Sequence, residues 1–290
     1  MNELRCLAAL LFAVLPFLPA LSQESRVYDN LTLPSERLQM ERKYAIYLPP
    51  GYEHSERSYP VLYLLHGGGD DQTGWVQFGE VQHITDKALK EGTATPMIIV
   101  MPDANTERRG YFNDVNGEWR YEDFFFEEFI PFIESTYRIK SEKRYRAVAG
   151  LSMGGGGSFF YAMHRPDMFS SAAPLSAALR SQTKEEYRQA LENSGTTVKN
   201  PASLDAYYDR HQALRQIELN SLDDMKSVRW YFDCGDDDFL YEGNSLVHIA
   251  MRKKEVPHEF RIRDGGHTWG YWRTSLPDVL GFVSEAFHQR

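Results

Sequence analysis

The chain has 290 residues, a net charge of −9 at pH 7, 42 % hydrophobic and 13 % aromatic residues. That apolar content suits a globular fold with a sizeable core, one large domain or two small ones. The acidic balance argues against nucleic acid, whose phosphates call for a basic face, and supplies no basic patch for an anionic membrane surface.

At the N-terminus, an apolar run from Leu7 to Leu21 follows Arg5 and is broken by Pro16 and Pro19. Ala20-Leu21-Ser22 then offers small residues at the positions a signal peptidase reads. Residues 1–22 are therefore expected to be a cleaved secretory signal, with 23–290 as a single domain acting in the periplasm or outside the cell. The run is too short and too proline-broken for stable membrane insertion. Removing it takes Cys6 away and leaves Cys234 alone, so no intramolecular disulfide is expected. Two cysteines so far apart also make no metal site, and no cofactor is implied.

From Lys43 onward, strand-like and helix-like runs alternate. Tyr44 to Leu48 reads as an exposed or edge strand. Val61 to Leu65 and Met97 to Met101 are short continuous apolar runs, as in strands covered on both faces. His83 to Lys90 reads as a helix, and Phe124 to Tyr137 as a helix kinked at Pro131. Tyr145 to Ala149, Ala172 to Leu175, Val228 to Asp233 and Glu259 to Ile262 continue the strands. Gly154 to His164, Asn244 to Lys254 and Leu276 to His288 continue the helices. The alternation predicts an α/β fold with a mainly parallel central sheet flanked by helices. The polar stretch of about 177–227 breaks the pattern and predicts a helical insertion near the active site.

Gly150-Leu151-Ser152-Met153-Gly154 lies between a strand and a helix. This is the G-x-S-x-G nucleophile elbow in its proper setting. A serine hydroxyl needs a base, so a histidine and an acid should follow in the order Ser, Asp or Glu, His. Of the histidines after the elbow helix, His267 alone stands in a Gly-rich loop (Gly265-Gly266-His267) just after a strand. The acid should come from Asp236, Asp237 or Asp238, which follow the strand ending at Asp233. Position favours Asp238, because Phe239-Leu240 directly after it should anchor it to the core. The run lacks the alternating ligand spacing of a calcium loop. Two N–H donors should hold the oxyanion. One is that of Met153, and the other should lie in His66-Gly67-Gly68-Gly69, after Val61 to Leu65.

The stretches Tyr59 to Gly69, Gly150 to Gly155, Asp233 to Leu240 and Gly265 to Trp269 resemble the α/β-hydrolase family of esterase D-like and feruloyl esterases (carbohydrate esterase family 1). The resemblance implies an α/β-hydrolase fold, Asp238 as the acid and Gly68 as the second oxyanion donor. It further implies a serine carboxylic-ester hydrolase. With a signal peptide, this points to a feruloyl esterase acting on plant cell-wall arabinoxylan. Acetylxylan esterase, enterochelin esterase and S-formylglutathione hydrolase are the alternatives within the family. A non-catalytic carbohydrate-binding protein on the same scaffold is the rival class. Trp269, Tyr271 and Trp272 follow His267 directly and are candidates to stack a cinnamoyl ring or a sugar. Trp75 and Trp119 are weaker candidates of the same kind.

Overall fold

A computed structural model describes residues 24–108, 110–179, 183–193 and 195–288. The expected signal segment, 1–22, lies outside them. Eight strands form one sheet: β1 (Arg26–Ser35), β2 (Met40–Leu48), β3 (Val61–Leu65), β4 (Ile98–Pro102), β5 (Arg146–Leu151), β6 (Ser171–Leu175), β7 (Arg229–Gly235) and β8 (Glu259–Arg263). Their order is β1-β2-β4-β3-β5-β6-β7-β8. The pairs from β4 to β8 are parallel, and the β1–β2 hairpin is added antiparallel at one edge.

The strands separate two cores because successive side chains point to opposite faces. Val61, Tyr63 and Leu65 join one cluster, under the helices Met153–His164 and Tyr241–Lys253. Leu62 and Leu64 join the other, under Val81–Glu91 and Trp269–His288. The α/β-hydrolase expectation holds.

Four local differences stand out. Tyr44 to Leu48 is no edge strand: Ala45, Ile46 and Tyr47 are fully buried, because β1 covers that side. The Phe124 to Tyr137 helix begins at Tyr121 and passes through a π-type turn, Phe125–Phe129. Pro131 then stands in the first turn of Ile130–Thr136, where its missing N–H costs little. The last helix starts at Trp269, seven residues before Leu276, and carries Pro277 inside it. The insertion contains four helices among the described residues: Lys184–Asn193, Pro201–His211, Ala213–Leu219 and Leu222–Lys226.

A buried ion cluster ties the insertion to the sheet layers. Glu122 accepts from Arg210 at 2.6 Å and lies 2.8 Å from His164 Nδ1. Burial opposes ionisation of Glu122. The His164 and His211 contacts and the Arg210 charge outweigh it and hold the carboxyl well below its ordinary value. At the other end, Lys254 Nζ donates to the Ile217, Glu218 and Asn220 carbonyls, capping the helix Ala213–Leu219.

Candidate active site

The parallel strands all deliver loops to their carboxyl edge, where ligands gather in open α/β sheets. Ser152 follows β5 there, with φ 54° and ψ −115°, an uncommon conformation for a residue with a side chain. The turn survives because its surroundings leave no alternative. The Ser152 N–H donates to Leu175 O at 2.9 Å, and its carbonyl accepts from Gly156 and Ala178. A Cβ on Gly154 would sit 2.5 Å from Leu65 O and 2.6 Å from His66 O. The elbow helix is therefore pressed against the end of β3.

Asp238 follows β7 and His267 follows β8. These two loops cross in near contact: a Cβ on Gly235 would lie 1.9 Å from Gly265 O. The crossing brings His267 Nδ1 to 2.8 Å from Asp238 Oδ2. On the other side of the ring, Nε2 lies 2.9 Å from Ser152 Oγ. The Asp238 side chain is fully buried, and its Oδ1 accepts the Leu240 N–H at 2.8 Å. Burial alone would raise its pKa. The hydrogen bonds from His267, Leu240 N–H and Ser176 outweigh burial and hold the carboxyl below its ordinary value. An ionised Asp238 can only accept, which assigns the proton to Nδ1 and leaves Nε2 to accept from the serine. Asp236 and Asp237 are exposed, and Asp236 Oδ1 is occupied by the Gly265 N–H. With Asp264 they form an exposed acidic group whose oxygens lie within 4.8 Å of one another.

The His66-Gly67-Gly68 loop runs beside the serine. A Cβ on Gly67 would be 3.5 Å from Ser152 Cβ. The Gly68 backbone is exposed at this mouth, and Met153 opens the elbow helix, where N–H groups lack intrahelical acceptors. His66 has a different task from His267. Its Nε2 accepts the Ala104 N–H at 2.9 Å, and its Nδ1 lies 2.8 Å from Gly67 O. Burial pushes its pKa down, so it is a neutral clamp between the loops after β3 and β4.

The aromatic candidates divide. Trp75 is fully buried, with its indole N–H on Leu65 O, and it buttresses β3 rather than facing a ligand. Tyr271 is also buried; its hydroxyl bonds the buried Asp233 carboxylate. Trp272 is buried too, edge-on to the His267 ring at 4.9 Å, with Nε1 donating to Ser176 Oγ. The expectation of direct substrate stacking is corrected for Trp75, Tyr271 and Trp272, because the helix starting at Trp269 turns the latter two toward the sheet. Trp269 is half-buried and packs on Trp75 and Phe78.

Phe239 corrects the anchoring role expected of it. It is 64 % exposed, and its ring lies 4.5 Å from that of His267. Leu240 alone is the buried anchor. Phe78, 49 % exposed, extends the aromatic rim past Trp269. Cys234 is buried, and burial pushes its thiol up to about 12, which disfavours the thiolate.

A solved ferulic acid esterase superposes with a TM-score of 0.81 at 37 % identity, over 91 % of this chain and 99 % of that one. An esterase of Mycobacterium tuberculosis is 41 % identical over 244 residues, 77 % of this chain and 52 % of that protein. An endo-1,4-beta-xylanase/feruloyl esterase of Xylanibacter ruminicola is 36 % identical over 130 residues, 43 % of this chain. This chain spans about half the length of the mycobacterial relative and less still of the Xylanibacter protein, 18 %. The family model described as "Putative esterase" matches residues 35–283, from the end of β1 into the last helix. With the sheet order and the serine-bearing elbow inside that match, the chain belongs to this esterase family.

Proposed function

We propose that the chain is a secreted or periplasmic carboxylic ester hydrolase that cleaves feruloyl esters of plant cell-wall arabinoxylan through an acyl-serine on Ser152. The observation that carries the reading is the continuous chain of hydrogen bonds from Asp238 through His267 to Ser152. In the first half-reaction, Ser152 Oγ attacks the ester carbonyl carbon and its proton passes to His267 Nε2. The carbonyl π electrons move onto oxygen, and the Gly68 and Met153 N–H groups stabilise that oxyanion. Collapse re-forms the carbonyl and expels the alcohol, which takes the proton from His267. Water then attacks the acyl-serine, His267 accepts its proton, and ferulate leaves as the proton returns to Ser152. The ionised Asp238 stabilises the imidazolium in both halves and stays ionised throughout.

The feruloyl assignment draws on two things: the ferulic acid esterase likeness over nearly the whole chain, and the exposed rings of Phe239, against His267, and Phe78, against half-buried Trp269. These rings offer flat apolar faces to a cinnamoyl ring. Initial rates on methyl ferulate, acetylated xylan and enterobactin test the choice. Methyl ferulate is expected to be hydrolysed fastest, and a clear preference for acetylated xylan would overturn the feruloyl reading.

A further inference from the structure

A cavity of about 680 Å3 opens between the loop after β4 and the helical insertion after β6. Its size falls in the range of small-molecule sites, about 300–1,000 Å3. Both walls spring from the carboxyl edge that carries Ser152, Asp238 and His267, yet those three are not among its described lining residues. Asn116 fastens the walls together: its amide donates to Thr197 O at 3.0 Å and accepts the Lys199 N–H at 3.1 Å.

The lining has a distinct chemical character. Its charged residues among those described pair off within the wall: Arg108 with Asp114 at 2.7 Å, and Lys199 with Glu118. At either pair an ionic ligand would compete with a counter-charge already in place, whereas a neutral ligand would not. The same lining holds the rings of Phe112, Trp119 and Tyr207, with the Arg108 guanidinium over the Trp119 ring. Among the described lining residues, aromatic rings thus accompany hydrogen-bonding groups whose charges are paired, a combination that suits a carbohydrate, since its C–H faces stack while its hydroxyls bond.

The wall is also mechanically joined to the reaction centre. Tyr111 stands between the lining residues Gly110 and Phe112, and its hydroxyl donates to His66 O at 3.1 Å. Tyr161 in turn donates to Tyr111 O at 2.6 Å from within the elbow helix. One tyrosine side chain thus separates the cavity wall from the residue preceding Gly67.

We propose that this cavity is a glycan subsite that holds neutral sugar residues of the polysaccharide whose ester is cleaved at Ser152. Its link to cleavage rests on the esterase reading, whereas its capacity to bind sugar does not. The test is calorimetric titration of Ser152→Ala protein with an arabinoxylan-derived oligosaccharide carrying no ferulate. Saturable binding is expected. In the same background, Trp119→Ala and Thr197→Trp, which places bulk at an exposed rim position, should each weaken it tenfold or more. Thr197→Trp should do so with the melting temperature retained. In active protein, the ratio of kcat/KM on a feruloylated oligosaccharide to that on methyl ferulate should fall by a similar factor. Absence of saturable binding, or binding unchanged by Thr197→Trp, would overturn the subsite. Failure of the active protein to hydrolyse any feruloyl ester would instead remove the esterase assignment, while the titration would still decide the subsite.

Discussion

His267 Nδ1 and Asp238 Oδ2 lie 2.8 Å apart, although 29 positions separate the two residues along the chain. The contact exists because the loops after β7 and β8 cross at Gly235 and Gly265. Asp238→Asn should preserve the geometry, but the Leu240 N–H holds the amide oxygen at the Oδ1 position and so turns the NH2 group toward Nδ1, favouring the wrong tautomer. A loss of about 10⁴-fold in kcat is expected. The exposed Asp236 and Asp237, changed likewise, should stay within a few-fold of the parent. Parallel ester-hydrolysis assays would decide, and a drop of less than tenfold for Asp238→Asn would reassign the acid.

Gly154→Ala tests the elbow itself. The added methyl would meet two backbone carbonyls at 2.5 and 2.6 Å, and backbone cannot rotate aside as a side chain can. A destabilisation of about 1–3 kcal/mol is expected, together with displacement of Ser152. Thermal melting combined with ester hydrolysis would show both losses. An unchanged melting temperature would mean that helix and β3 are less closely apposed than described.

Phe239 and Tyr271 should behave oppositely despite standing close to the same histidine. Phe239→Ala removes an exposed ring, so stability should stay within about 0.5 kcal/mol. Its kcat/KM on methyl ferulate should fall more than that on p-nitrophenyl acetate. Tyr271→Phe removes a hydroxyl from the buried Asp233 carboxylate and should cost about 1–3 kcal/mol. Equal melting temperatures for the two variants would contradict the placement of these rings.

The insertion should loosen in acid. Burial lowers the pKa of His211, so folding is opposed once the unfolded histidine binds a proton that the folded one refuses. Stability from this residue is complete above about pH 6.5 and falls below it, by up to about 1.4 kcal/mol per pH unit. Glu122 is depressed instead, so its contribution holds above about pH 4.3 and fades further into acid. The stability read from melting curves should fall more steeply between about pH 7.5 and about pH 5 in the parent than in His211→Phe. Parallel slopes would remove His211 as the cause.

What was legible in the sequence was local. The Gly-x-Ser-x-Gly turn, the Gly-rich loops and the order of acid and histidine each follow a short apolar run, and a run of that kind is readable without the fold. The partner of an aromatic ring is not local. Tyr271 and Trp272 looked available because Gly270 and Pro277 disguised the helix that begins at Trp269. Phe239 looked like an anchor because apolar pairs usually are, yet only Leu240 turns inward. β1 was illegible for another reason: Arg26 to Ser35 is polar, contains Pro34 and has a register shift between Tyr28 and Leu31. Its strand character comes from pairing with β2. The insertion's polarity announced helices, but its tether through Glu122 and Arg210 joins residues 88 positions apart.

The most direct measurement is ferulate release from methyl ferulate by the parent chain and by Ser152→Ala, followed by absorbance at matched enzyme concentration. The account predicts steady release by the parent and a fall of at least about 10³-fold in the variant, whose melting temperature should be retained. Equal rates for the two proteins would contradict an acyl-serine on Ser152.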